Sequence, residues 1–216
     1  MKIKLQNYVR RVVTDGYQVQ DLPRYGKCIV PNNPTTYRIR EIPTYEPLKI
    51  INEFLEIRKD DQDDLLKFVN RHGLLRPEDY TENIGYSLGA SDYLFPASKL
   101  HSANDFNELS MLVSENNRMF ALKLLSEAFG GERRIIHRSG RVVFQEDYES
   151  REGLIFYSSS LYEYLISYAA DQIINGKSFL ACEQCFEYYL SSVGRGQKAK
   201  YCGGACRVAA HRERKS

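Results

Sequence analysis

Four of the five cysteines in this 216-residue chain lie near its C-terminus, as Cys182-Glu-Gln-Cys185 and, sixteen residues later, Cys202-Gly-Gly-Ala-Cys206. Each close pair places two thiolates on one tight turn, and the intervening residues can bring the two turns around a tetrahedral ion. The spacing therefore predicts structural zinc held by Cys182, Cys185, Cys202 and Cys206. Two disulfides are the competing arrangement. They are not expected, because Met1-Lys2-Ile3-Lys4-Leu5 shows neither the apolar leader nor the cleavage site of an exported chain, which places the protein in a reducing cytoplasm. Cys28 stands alone among Tyr25, Ile29 and Val30 and is expected to be core filler.

Charge separates along the chain at the same place. Residues 1–181 carry 23 Lys and Arg against 25 Asp and Glu, whereas residues 182–216 carry seven against three, a net +4. The cations Arg195, Lys198, Lys200, Arg207, Arg212, Arg214 and Lys215, together with His211, form the candidate nucleic-acid-binding set, since Lys and Arg supply the phosphate term of DNA affinity. Some must also balance the charge of four thiolates on one zinc ion. His211 is not expected as a ligand, because five helical residues turn it roughly 140° from Cys206.

The elements that must position these residues follow from local pattern. Cys182 to Cys185 forms a knuckle, followed by an expected strand Phe186–Leu190, a turn over 191–196, a return strand Lys198–Tyr201 and a terminal helix from Ala205 to about Arg214. That order is like a treble clef. On that helix Arg207, His211 and Arg214 share one face, and Ala205, Val208 and Ala209 are expected to line the other, toward the finger core.

The segment from Cys182 through Lys200-Tyr-Cys-Gly-Gly-Ala-Cys-Arg207 to His211-Arg-Glu-Arg214 resembles the C-terminal CGNR-type zinc fingers that follow an ABATE-like helical domain in bacterial proteins regarded as transcription regulators. Arg207-Val208-Ala209 stands here in place of Gly-Asn-Arg. The resemblance covers about 35 residues closely and the body only in outline; it implies DNA binding by the finger. Phe68-Val-Asn-Arg-His-Gly-Leu-Leu75 also looks like a helix end of such proteins.

The rest of the chain predicts an α+β protein, mainly helical, with short N-terminal strands over 1–45, a helical body over 46–176 and the finger over 177–216. Asp15-Gly16 is a hairpin signal between Tyr8–Val13 and Tyr17–Val19, Pro31-Asn-Asn-Pro34 marks a break, and residues 37–42 alternate as a half-buried strand. Leu48, Ile51, Phe54 and Leu55 share a helical face. So do Leu65, Leu66, Phe68 and Val69, after the acidic run Asp60–Asp64, which suits a helix N-terminus. Residues 74–101 show no periodicity. A long helix is expected from Asn104 to about Phe129, a hairpin near 133–145 around Ser139-Gly140, and another long helix from Arg151 to Ile174. No apolar run is long enough to span a bilayer.

These features favour a zinc-finger DNA-binding protein whose body senses a ligand or partner. A zinc-braced protein-interaction module using Tyr188, Tyr189 and Tyr201 is the alternative. An enzyme is not expected: a tetrathiolate zinc keeps no open position for water, and no phosphate loop or His-Glu-x-x-His helix occurs. His72, His101 and His137 each lie singly and are expected to be structural or exposed.

Overall fold

The computed structural model describes residues 4–5, 8–22, 26–33, 36, 38–57, 61–75, 98–99, 103–128, 135–138, 141–144, 155–156, 160–192 and 199–214. The elements begin with strands β1 (Lys4–Leu5), β2 (Val9–Val13), β3 (Tyr17–Leu22), β4 (Gly26–Pro31) and β5 (Ile39–Pro43), then helices α1 (Pro47–Leu55) and α2 (Gln62–His72). After β6 (Ser98–Lys99) come α3 (Ala103–Glu115), α4 (Arg118–Ala128), β7 (Ile135–Arg138), β8 (Arg141–Phe144) and β9 (Ile155–Phe156). The chain continues through α5 (Leu161–Ile174), β10 (Lys177–Ala181), β11 (Tyr188–Ser192) and α6 (Gly204–Glu213). Helices with short antiparallel strands make this an α+β protein, and no described helix is long and apolar enough to cross a membrane.

The chain divides into two compact units, one of residues 5–108 with 156–165, the other of residues 1–4, 109–155 and 166–216. In the first, β2 pairs antiparallel with β5, from Val9↔Pro43 to Val13↔Ile39, while β3 pairs with β4 and β4 with β6. The Asp15-Gly16 turn forms, with Gly16 at φ 79, but it does not make a hairpin. The strands on either side of it take different partners, because the Tyr17 N–H is donated to Asn70 Oδ1 of α2 at 2.8 Å and the alternating segment 39–43 occupies β2.

Both first-unit helices follow their sequence signals. In α1, Pro47 sits in the first turn, where its missing N–H costs nothing, and Ile50, Ile51 and Phe54 are buried. Leu48 and Leu55 are only half-buried, with Ile50 taking the expected place of Leu48. In α2, the Asp61 carboxylate accepts the Asp63 and Asp64 N–H groups at 3.0 and 3.1 Å, so the acidic run does cap a helix. Phe54 and Phe68 join the two helices with ring centroids 5.5 Å apart. Ile29, Val30, Ile51, Val69 and Leu75 complete this core, and Cys28 is fully buried within it.

In the second unit the expected long helix after Asn104 is two helices. Asn116 adopts the left-handed conformation (φ 51) that ends α3, and the Asn117 carboxamide caps α4 by accepting the N–H groups of Met119 and Phe120 at 2.9 and 3.1 Å. Asn is the side chain that both tolerates αL and competes for backbone hydrogen bonds, so the apolar period continues through a break. The helix expected from Arg151 starts instead at Leu161, where Ser160 Oγ accepts the Glu163 N–H at 3.2 Å, and residues 155–156 are extended. The expected hairpin near 133–145 is present as β7 and β8, paired from Ile135↔Phe144 to Arg138↔Arg141. Residues 76–97 lie outside the described residues, as does His101.

Candidate metal centre

Asn175-Gly176 stops α5, with Gly176 at φ 79, and the chain turns directly into β10. β10 and β11 pair antiparallel from Lys177↔Ser192 to Ala181↔Tyr188, so the Cys182–Cys185 knuckle lies in the turn of a hairpin. The expected partner of this second strand was Lys198–Tyr201. Residues 199–201 are not a strand, and the partner is the segment 177–181 that precedes the first cysteine. A Cys-x-x-Cys turn reverses the chain on itself, so its two immediate flanks meet before any later segment can. Two bonds close the turn, Cys182 N–H to the Glu187 carbonyl and Phe186 N–H to the Cys182 carbonyl, both at 3.0 Å.

The second cysteine pair is carried by α6. Cys202 precedes its N-cap Gly203, and Cys206 lies in its first turn. The four Sγ atoms all lie within 4.8 Å of one another. Cys185 and Cys202 sulfurs are 3.7 Å apart, Cys202 and Cys206 sulfurs 3.4 Å. A disulfide needs about 2.05 Å, whereas a tetrahedron with metal–sulfur bonds of about 2.3 Å has edges of about 3.8 Å. The donor set and its spacing thus fit one metal ion. Cys182 is buried, Cys206 half-buried, and Cys185 and Cys202 are exposed, which sets the centre at the surface.

The electrostatics of the cluster match that fit. Burial raises the Cys182 thiol, but backbone N–H groups of Cys185, Cys202 and Gln184 outweigh it and bring the group down to about 6. One of these is the Cys202 N–H, 3.4 Å from Cys182 Sγ. Cys202, beside the Cys206 sulfur, is pushed up to about 12 by that neighbour, by burial and by the other two sulfurs. Four sulfurs so close cannot all hold negative charge without a cation among them.

Side chains brace the centre. Gln184 Nε2 donates to Glu213 Oε1 at 2.8 Å, tying the knuckle to the end of α6. Glu183 donates its N–H to the Lys200 carbonyl and pairs through its carboxylate with Lys200 Nζ, both at 3.0 Å. Tyr189 donates its hydroxyl to the Ala199 carbonyl, and Arg214 donates to the Tyr201 hydroxyl.

Of the sequence-derived cations, Lys200, Arg207, Arg212 and Arg214 are exposed, as is His211. Arg195, Lys198 and Lys215 lie outside the described residues. Lys200 and Arg214 already have partners, so among the described residues the outward cations of α6 are Arg207 and Arg212, with the His211 ring exposed on the same helix. The inward face differs from expectation. Ala210, one turn after Cys206, is buried at 6% exposure, whereas Val208 is 50% exposed and Ala205 is exposed. Turning Cys206 toward the other three sulfurs brings Ala210, its i+4 neighbour, to the same side of the helix.

Comparison with protein-family models, curated proteins and solved structures gives no match.

Sequence reasoning missed Phe186 and Asn116. Phe186 follows the second knuckle cysteine at φ 62 and is 79% exposed. Its signal was a bulky apolar residue where the turn needs a left-handed backbone. Asn116 grips β10 from the α3–α4 corner, and its signal was the Asn116-Asn117 pair inside a helical period.

The first unit holds a separate polar cluster around His72, which is 5% exposed. Its Nδ1 lies 2.5 Å from an Arg10 nitrogen and its Nε2 lies 2.7 Å from Glu53 Oε2, which also accepts from Arg71 at 2.9 Å. Arginine only donates, so Nδ1 accepts and Nε2–H donates to Glu53, which describes a neutral imidazole. Burial lowers the His72 pKa against the pull of Glu53, with Arg10 and Arg71 adding to the lowering. Burial raises the Glu53 carboxyl, but hydrogen bonds from His72 and Arg71 prevail and hold it below the usual range.

Proposed function

We propose that the four cysteines bind one structural zinc ion, that the finger they close is treble-clef-like, and that its basic helix binds DNA, the protein acting as a cytoplasmic transcription regulator. Zinc is the metal that a closed set of four thiolates suits best. The observation that carries the reading is the placement of Arg207 directly after the ligand Cys206, with His211 and Arg212 exposed on the same metal-anchored helix. A helix pinned at its N-terminus presents cations on a backbone that is already ordered. The CGNR-like resemblance points the same way. The remaining body would sense an effector or partner. The donor set argues against catalysis at this centre, since four sulfurs leave no position for a reacting water.

The test is titration of zinc-loaded protein with duplex and single-stranded DNA at two salt concentrations. The variant Arg207→Glu/Arg212→Glu is expected to keep its metal and lose affinity, with the log-log salt slope falling by about 0.9 for each duplex phosphate contact removed. Absence of affinity for both forms at low salt overturns the reading. A zinc-braced protein-interaction module is the second reading, favoured by Val208 on the outward side of the helix. Its affinity would be nearly indifferent to salt.

A further inference from the structure

Phe186 violates two preferences at once. A bulky side chain rarely adopts positive φ, and a large aromatic ring is rarely left in water. Here φ is 62 and the ring is 79% exposed. Closure of the knuckle explains the backbone, because the Phe186 N–H must reach the Cys182 carbonyl at 3.0 Å. It does not explain the side chain, since glycine would meet the same requirement without strain. A ring held there at a cost to stability has the mark of a contact surface.

Its surroundings indicate what the ring meets. Phe186 follows Cys185 as Arg207 follows Cys206, and the sulfurs of those two cysteines lie within 4.8 Å of each other. An exposed ring and an exposed guanidinium thus leave from one rigid centre. Glu183 is paired with Lys200, Glu213 accepts from Gln184, and Glu187 follows Phe186 in sequence. An exposed aromatic ring and exposed guanidinium groups carried by one cysteine cluster suit an unpaired nucleobase, whose ring stacks while its phosphates meet Arg207 and Arg212.

We propose that Phe186 is the base-stacking residue of the finger, and that the preferred ligand is DNA with unpaired bases. This rests on the DNA-binding reading above and names its ligand class.

The chain contains no Trp, so Phe186→Trp installs a single indole reporter at the site. The probes are an oligothymidylate of about 15 nucleotides, the abasic strand of the same length and the matching duplex, each titrated into zinc-loaded full-length protein. Expected is quenching of the indole by oligothymidylate but not by the abasic strand, with affinity at least equal to wild type. Phe186→Gly is expected to weaken oligothymidylate binding about 5- to 100-fold, leave the salt slope unchanged, and hold metal against a chelator at least as long as wild type. Phe186→Asn, whose side chain tolerates the same backbone, should behave likewise.

Equal oligothymidylate affinity for wild type and Phe186→Gly overturns the proposal while leaving DNA binding intact. Equal quenching by the abasic strand does the same, as does a preference for the duplex. Loss of metal from both the Gly and Asn variants overturns it in favour of a structural role. If wild type binds none of the three probes, the DNA-binding reading itself falls and this proposal with it, and the ring is left to a protein partner.

Discussion

The Asn116 carboxamide acts as a one-residue strand beside Phe179: its Oδ1 accepts the Phe179 N–H at 2.6 Å and its Nδ2 donates to the Phe179 carbonyl at 2.9 Å. β11 occupies the opposite edge of β10, so at Phe179 both edges of the strand that leads into the knuckle are engaged. Removing the carboxamide orphans two backbone groups at a residue 2% exposed, and it also removes a side chain suited to the αL backbone at 116. Asn116→Ala is therefore expected to destabilise the second unit by about 2–4 kcal/mol in denaturant titration. Asn116→Asp keeps one acceptor and faces the Phe179 carbonyl with an anion, so it should not rescue. If Asn116→Ala matched wild type, the bracing role would be refuted.

Metal removal gives the second prediction. Freshly reduced protein is expected to carry one metal ion per chain, and Ser at any one of Cys182, Cys185, Cys202 or Cys206 should release it. Structural zinc contributes about 10–16 kcal/mol of apparent binding free energy in small fingers, far beyond what the exposed α6 buries. Chelation should unfold residues 182–214 and leave α1 and α2 intact, read by amide exchange. A metal-free purified protein, or a four-Ser variant that still binds the ion, would show the assignment to be wrong.

The third concerns pH. His72 has a lowered folded pKa, so below about 6.5 the unfolded chain binds a proton that the folded protein resists. Its contribution is complete above that value and is lost as pH falls through the folded pKa. Glu53, also lowered, adds the same sign below its ordinary 4.5. Stability is expected to fall on acidification from about pH 7.5 to about pH 5.5, with a slope of at most about 1.4 kcal/mol per pH unit for one proton. His72→Gln should be less stable at neutral pH and should flatten that slope. A wild-type profile that is level over this range would contradict the neutral, buried assignment.

Two glycines with similar φ should respond very differently. Gly73 has φ 87 and ψ 179, and a Cβ there would lie 2.5 Å from the Arg11 carbonyl oxygen. Gly176 has φ 79 with nothing within 4 Å of such an atom. Gly73→Ala is expected to cost about 3 kcal/mol or more and Gly176→Ala about 1 kcal/mol, as midpoint shifts in urea. Equal costs would mean that backbone conformation, not the clash with β2, decides both.

The four-cysteine cluster was legible because residue type and spacing are properties of the chain itself, and the Cys182-x-x-Cys185 and Cys202-x-x-x-Cys206 pairs needed only to be brought together. The acidic run at the start of α2 and the β7–β8 hairpin were legible for the same reason, since each acts within a few residues. What failed was choice among distant partners. The Asp15-Gly16 turn formed without a hairpin because β5 and Asn70, remote in sequence, took the hydrogen bonds of β2 and Tyr17. The long helix broke at Asn116, whose carboxamide satisfies a strand 63 residues away, a reward that no local period records. The hydrophobic pattern says which face is buried, but the backbone donors and acceptors are alike at every residue. Tertiary structure alone decides which of them meet.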